Sequence, residues 1–212
     1  HHLKVIYDGA HAFGVKYKGR SIFEFGDVST CSFHATKIFH TGEGGAVLCK
    51  DPELFKELYS RHNFGHDGYL AFHGLGINGK MSELSAAMGL AVLPYLDEII
   101  ASRKEIADYY ISNLSKTVRT INLRKGTNWN YSYFPIVFET EEILLNVIQK
   151  LNEKDINPRR YFYPSLNTLD FVNGNSCLIS ESLSSRILCL PLFMGLEFKV
   201  IDKIIFEINN LI

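Results

Sequence analysis

The chain has 212 residues, 46% hydrophobic and 21% charged, with a formal net charge of −1. That balance excludes wholesale disorder, and the missing basic excess excludes a dedicated binder of nucleic-acid backbones. No apolar run approaches the ~20 residues of a membrane helix, and HHLKVIYD lacks the charged, apolar and small-residue regions of a signal peptide.

LKVIY is predicted to be a buried strand that stops at Asp8. It starts so close to the first residue that further chain upstream is expected. A second strand is predicted over 27–33 and a third over 46–49. Between them, HATKIFHTGEGG is a polar, glycine-rich connection. Asp51 and Pro52 have the chemistry of a helix start, N-cap then first turn, with Leu54, Phe55 and Leu58 as the apolar stripe. Residues 61–81, rich in Gly, His and Asn, form a long loop of the kind that is functional when ordered. Ser82 and Glu83 open the next helix, which Pro94 kinks or restarts. Its stripe of Leu96, Ile99, Ile100, Ile106, Tyr110 and Leu114 runs to about Ser115. Residues 117–130 are polar and turn-prone. Beyond them a βαββα order is predicted: YSYFPIVF, EEILLNVIQKLNEKDI, 159–163, a strand within SLSSRILCLPLF, and the closing helix LEFKVIDKIIFEINNLI. The expected organisation is a first domain over 1–118 and a small α+β domain over 119–212.

The four cysteines form no CxxC pair, which argues against zinc or redox chemistry. Cys31, Cys49 and Cys189 lie in apolar runs and are expected as small buried hydrophobes in a reducing, cytoplasmic setting. Five histidines fall between His34 and His73, without the spacing of metal ligands backed by cysteines or carboxylates, so no metal is expected. GxGxxG, GK[ST], GxSxG and HExxH are all absent.

Three residues carry chemistry. Asp8, at a strand end, is either a turn or capping residue or an anion facing a cationic partner at the edge where α/β sheets bind ligands. Lys37, flanked by Phe33, Ile38 and Phe39, is either a solvated lysine or an amine nucleophile in a partly apolar pocket. Ser32 is either an ordinary strand-end hydroxyl or, beside the free N–H groups of GEGG, a phosphate ligand. An amine, a carboxylate and a phosphate-binding hydroxyl together are what pyridoxal 5′-phosphate needs.

VIYDGAHAFG, CSFHATKIFHTGEGGAVL and GINGKMSELSAAMGL, in that order, resemble the DegT/DnrJ/EryC1/StrS family of nucleotide-sugar aminotransferases. The SFHxTK…GEGG block is the most specific part. The resemblance implies an α/β, aspartate-aminotransferase-like fold (pyridoxal-phosphate fold type I), here part of the large-domain sheet plus the small C-terminal domain. It makes Lys37 the lysine of the internal aldimine and the proton shuttle, and pairs Asp8 with the pyridine nitrogen. It places His11 near the cofactor ring and its 3-oxygen, Ser32 on the phosphate, and Asn78 on the phosphate of a neighbouring subunit's cofactor, hence a homodimer with shared sites. His34 and Tyr163 would face the substrate. The implied reaction moves an amino group from an amino acid, glutamate by analogy, to a nucleotide-linked 4-keto-6-deoxyhexose, in deoxyaminosugar synthesis for surface polysaccharide. Gly79 stands where many members have an aromatic residue and Asn167 where His is frequent. Members also carry a long stretch before the first strand seen here. Two alternatives stay open: a catalytically incomplete fragment with an assembly role, and another enzyme of the same fold type acting on amino acids.

Overall fold

The computed structural model describes all residues, His1–Ile212. The chain separates into two compact units, one of residues 1–97 with 124–130 and one of 98–123 with 131–212. The division comes earlier than the expected boundary at 118, because α3 (Leu96–Asn113) buries Ile106, Ala107 and Tyr110 among the residues that follow it.

In the first unit β1 (Ile6–Asp8) pairs in parallel with β4 (Val28–Ser32), which pairs antiparallel with β5 (Gly45–Cys49). A small sheet of β2 (Lys16–Tyr17), β3 (Arg20–Ser21) and β7 (Thr127–Asn128) ties the returning segment 124–130 to this unit. Sequence patterning did not anticipate it, since two-residue strands leave no periodicity. α1 (Pro52–His62) begins as expected, with Asp51 Oδ1 accepting from the Glu53 and Leu54 N–H groups. α2 (Glu83–Val92) is capped by Ser82, whose hydroxyl accepts from Ser85 N–H. At Pro94 the helix tightens into a 3₁₀ turn, Leu93–Tyr95, and continues as α3.

Two expectations are corrected here. β1 is not buried: it is the outer strand of its sheet, and Ile6 is 71% exposed. The stretch Glu83–Asn113 is, by length and composition, apolar enough to cross a membrane, although Pro94, Asp97 and Glu98 interrupt its apolar run. It is scarcely buried, and Leu84, Leu90 and Tyr95 lie open. Cys31, Ile38 and Phe39 are the buried apolar residues of the first unit.

The second unit has a full core. β6 (Arg119–Thr120), β8 (Phe134–Val137) and β9 (Ile187–Leu190) form its sheet. α4 (Glu141–Asn152) and α6 (Phe198–Leu211) contribute Leu144, Val147 and Leu151, and Ile201, Ile204 and Ile208, to the packing around Phe134, Ile136 and Leu188. α5 (Leu178–Arg186) precedes β9 and was not anticipated. The strand expected over 159–163 is a single bridge between Arg159 and Cys189. All four cysteines are free; Cys31 and Cys189 are buried, Cys49 only partly so, and Cys177 is exposed.

Candidate active site

The site is built where β1 and β4 end side by side. Asp8 pairs with Thr30 across the parallel ladder, and Gly9 N–H donates to Thr30 O at 2.9 Å. A Cβ on Gly9 would stand 2.7 Å from the Phe23 ring and 2.9 Å from the Thr30 carbonyl oxygen, so the close approach of the two strand ends favours glycine there. Asp8 Oδ1 accepts from Ala10 N–H at 3.0 Å, an Asx turn that leads the backbone to His11. Asp8 is exposed rather than buried, since nothing in this chain covers the outer side of β1.

β4 ends at Ser32, and the chain runs through a closed loop back into β5. The loop is held by Phe33 N–H to Gly44 O at 2.8 Å, Ala35 N–H to Gly42 O at 2.7 Å and Thr41 N–H to Phe33 O at 2.9 Å. Gly42 adopts φ +75°, a left-handed conformation that favours glycine. Inside the loop Lys37 N–H donates to His34 O, and Ile38 and Phe39 are buried beneath it. The Phe13 ring stacks on Phe39 at 4.5 Å between centroids and meets Phe33 edge-on at 5.9 Å. The loop therefore rests on the turn that carries His11. α2 backs it from another side, through buried Gly89 against Thr41 and Phe39.

Electrostatics bring three of the expected residues together. Burial holds the His11 imidazole below its ordinary value; the Lys37 charge adds to this and the Asp8 charge opposes it. Both charges thus act on one ring. Lys37 also acts on the Cys31 thiol, which burial pushes up to about 11. Half-buried Lys37 makes no ion pair, so its amine is uncommitted. Ser32 Oγ accepts from His34 N–H at 3.3 Å, and the exposed His34 ring is held by Thr36 at 2.8 Å.

An uncommitted primary amine, a strand-end carboxylate, an imidazole that both charges act on and a strand-end hydroxyl form a donor set that fits pyridoxal phosphate. Asn78 is on the exposed loop after α1, where its Oδ1 accepts from Lys80 Nζ at 2.7 Å. Tyr163 belongs to the second unit, its exposed ring covered on one face by the Arg160 guanidinium at 3.5 Å. Asn167 ties its loop to α5 by donating to Glu181 Oε1 at 2.6 Å. One residue that sequence reasoning missed is Asn130. It is 1% exposed, and its Nδ2 donates to His11 O at 2.9 Å and Phe13 O at 2.8 Å. An asparagine before a strand gave no signal of that reach.

The profile of the DegT/DnrJ/EryC1/StrS aminotransferase family matches residues 1–209. The chain is 36% identical to a dTDP-4-amino-4,6-dideoxy-D-glucose transaminase of Shigella dysenteriae, over 100% of this chain and 60% of the relative. It is 35% identical to a GDP-perosamine synthase of Escherichia coli O157:H7, over 98% of this chain and 58% of the relative. The crystal structure of DesI in the presence of its TDP-sugar product superposes with a TM-score of 0.89 at 30% identity, over 98% of this chain and 55% of that one. The chain thus spans about three fifths of the length of these curated relatives. It has the aspartate-aminotransferase-like α/β fold (pyridoxal-phosphate fold type I) and belongs to the DegT/DnrJ/EryC1/StrS aminotransferase family.

Proposed function

We propose that this chain carries the lysine half of a pyridoxal-phosphate site that moves an amino group from an amino acid, glutamate by family analogy, to a nucleotide-linked keto-deoxysugar, in the cytoplasm. The observation that carries the reading is the shared edge of β1 and β4: Asp8 pairs with Thr30 where the two strands end, Ser32 closes β4, and the Phe13–Phe39 stack seats the turn of His11 on the Lys37 loop. When bound, pyridoxal phosphate supplies an electron sink that lets a Cα proton leave and an amino group pass between amino acid and ketone. Lys37 Nζ takes up and returns that proton, a role open to an amine held half-buried and free of ion pairs. Asp8 holds the proton on the ring nitrogen. Ser32 Oγ and N–H groups of the glycine-rich loop bind the phosphate. His11 would pack beside the coenzyme ring. His34 and Tyr163 are proposed as sugar contacts.

The first unit is proposed as part of the cofactor-binding domain, and a second copy of the chain as the partner that covers α2. Leu84, Leu90 and Tyr95 are large apolar side chains left exposed along α2 and the turn that follows it, which supports a protein contact there. In that homodimer Asn78 would serve the partner's phosphate.

The test mixes the chain with pyridoxal phosphate, reduces it with borohydride and maps the modified peptide by mass. Coenzyme fixed on Lys37, with amino transfer from glutamate to a nucleotide-linked 4-keto-6-deoxyhexose, is the expected result. Coenzyme fixed elsewhere or not at all refutes the site. Fixation on Lys37 with transfer only between amino acids favours the other enzyme class.

A further inference from the structure

We infer that Asn130 is a positioning residue that sets His11 and the Lys37 loop in register; its consequence for the coenzyme rests on the site proposed above. The geometry is specific. The Asn130 amide is buried and sends its Nδ2 donors to two carbonyls of one turn, those of His11 and Phe13, from a segment 117 residues or more further along the chain. The segment 124–130 returns to the first unit to do this, guided by β7 on β2 and by Lys18 N–H donating to Gly126 O at 2.7 Å. The turn it grips points two ways. The His11 side carries the imidazole on which the Lys37 and Asp8 charges act. The Phe13 side stacks on Phe39, two residues beyond Lys37, and touches Phe33, which opens the lysine loop. One amide thus fixes the backbone that carries the imidazole, and the lysine loop through two aromatic contacts. A residue with no more than a packing role would not need to be a donor, and here both donors are directed at the same turn.

The test replaces Asn130 by alanine in the full chain and follows three quantities: melting temperature, the His11 imidazole titration by NMR without coenzyme, and the dissociation constant for pyridoxal phosphate. Expected for Asn130→Ala are a His11 midpoint moved up towards the ordinary histidine value and coenzyme affinity weakened about tenfold, the factor that about 1.4 kcal/mol makes. Phe13→Leu loosens the same turn while leaving Asn130 in place, and should move both quantities in the same direction. Asn130→Ala that melts lower but keeps the wild-type His11 titration and affinity overturns the inference. If Asn130→Ala does not fold, an unchanged His11 titration in Phe13→Leu overturns it instead. Wild-type protein that binds no coenzyme refutes the proposed function, while the His11 titration still decides the positioning role.

Discussion

Gly89→Ala sets two physical effects against each other at the back of the lysine loop. Glycine inside a helix costs about 0.8–1.0 kcal/mol relative to alanine, so propensity alone makes the substitution stabilising. The structure opposes this. A Cβ on Gly89 would lie 2.8 Å from Thr41 Cγ2 and 3.4 Å from Phe39 Cζ. Thr41 is 4% exposed, and its Oγ1 donates to Glu43 O at 2.7 Å. Rotating the methyl away breaks that bond and leaves a buried hydroxyl unpaired, at about 1–3 kcal/mol; leaving it in place overpacks the contact, at about 1–3 kcal/mol. Either cost, about 2 kcal/mol at mid-range, exceeds the propensity gain, for a net loss of about 1 kcal/mol. Thr41→Ser removes the offending methyl and keeps the hydroxyl. In that background Gly89→Ala should show the propensity gain, about 0.8–1.0 kcal/mol, a coupling of about 2 kcal/mol in a double-mutant cycle read by urea denaturation. Gly89→Ala protein as stable as wild type, or strict additivity of the two substitutions, would refute the argument that α2 fixes the loop by close approach at this glycine.

Three further outcomes follow from named contacts. Lys37→Met should raise the His11 titration midpoint and Asp8→Asn should lower it further, because the two charges act on the imidazole with opposite signs; NMR titration without coenzyme reads both, and a midpoint indifferent to either charge breaks the cluster apart. Since the folded-state value of His11 lies below the ordinary 6.5, its neutral form is favoured by folding, so its contribution to stability is complete above that pH and is lost as the pH falls below it; melting curves of wild type against His11→Gln across that range check the sign. Arg103 donates to Tyr131 O at 3.0 Å, Ser132 O at 2.9 Å and Leu192 O at 2.7 Å, and Arg103→Met strands all three carbonyls; a loss of about 3 kcal/mol in urea denaturation is expected, and a loss below about 1 kcal/mol would show that water replaces the guanidinium.

Helix starts were legible in the sequence because capping is local. Asp51 with Pro52 and Ser82 with Glu83 carry their own chemistry within one turn, and the structure places both caps there. The loop over Lys37 was legible for the same reason: glycines and a strand end, a few residues apart, dictate a tight return. What failed was long-range or aperiodic. α5, with the sequence LISESLSSR, scatters its apolar residues over no single face, so no helical stripe marks it. The burial of β1 was misjudged because an apolar run fixes the preference of a strand, not the presence of a neighbour. The place of Asn130 depends on a return of the chain to the first unit that no local pattern encodes.

The two units solve the problem of order differently. The second is held by an apolar core: Phe134, Ile136, Leu144, Leu188, Ile201 and Ile204 are fully buried, and each such side chain contributes about 1.5–3 kcal/mol. The first buries few apolar side chains, yet the candidate site needs Asp8, His11, Ser32 and Lys37 at fixed positions. It obtains them from directional contacts: the Asx turn at Asp8, the carbonyl–amide closures of the loop, the two donors of Asn130 and the Phe13–Phe39 stack. Directional bonds fix geometry with little surplus stability, since each is worth about 0.5–1.5 kcal/mol net. Order at the site therefore depends on whatever covers the exposed apolar surface of this unit, and binding on that surface would stabilise the site by mass action without touching a single reacting group.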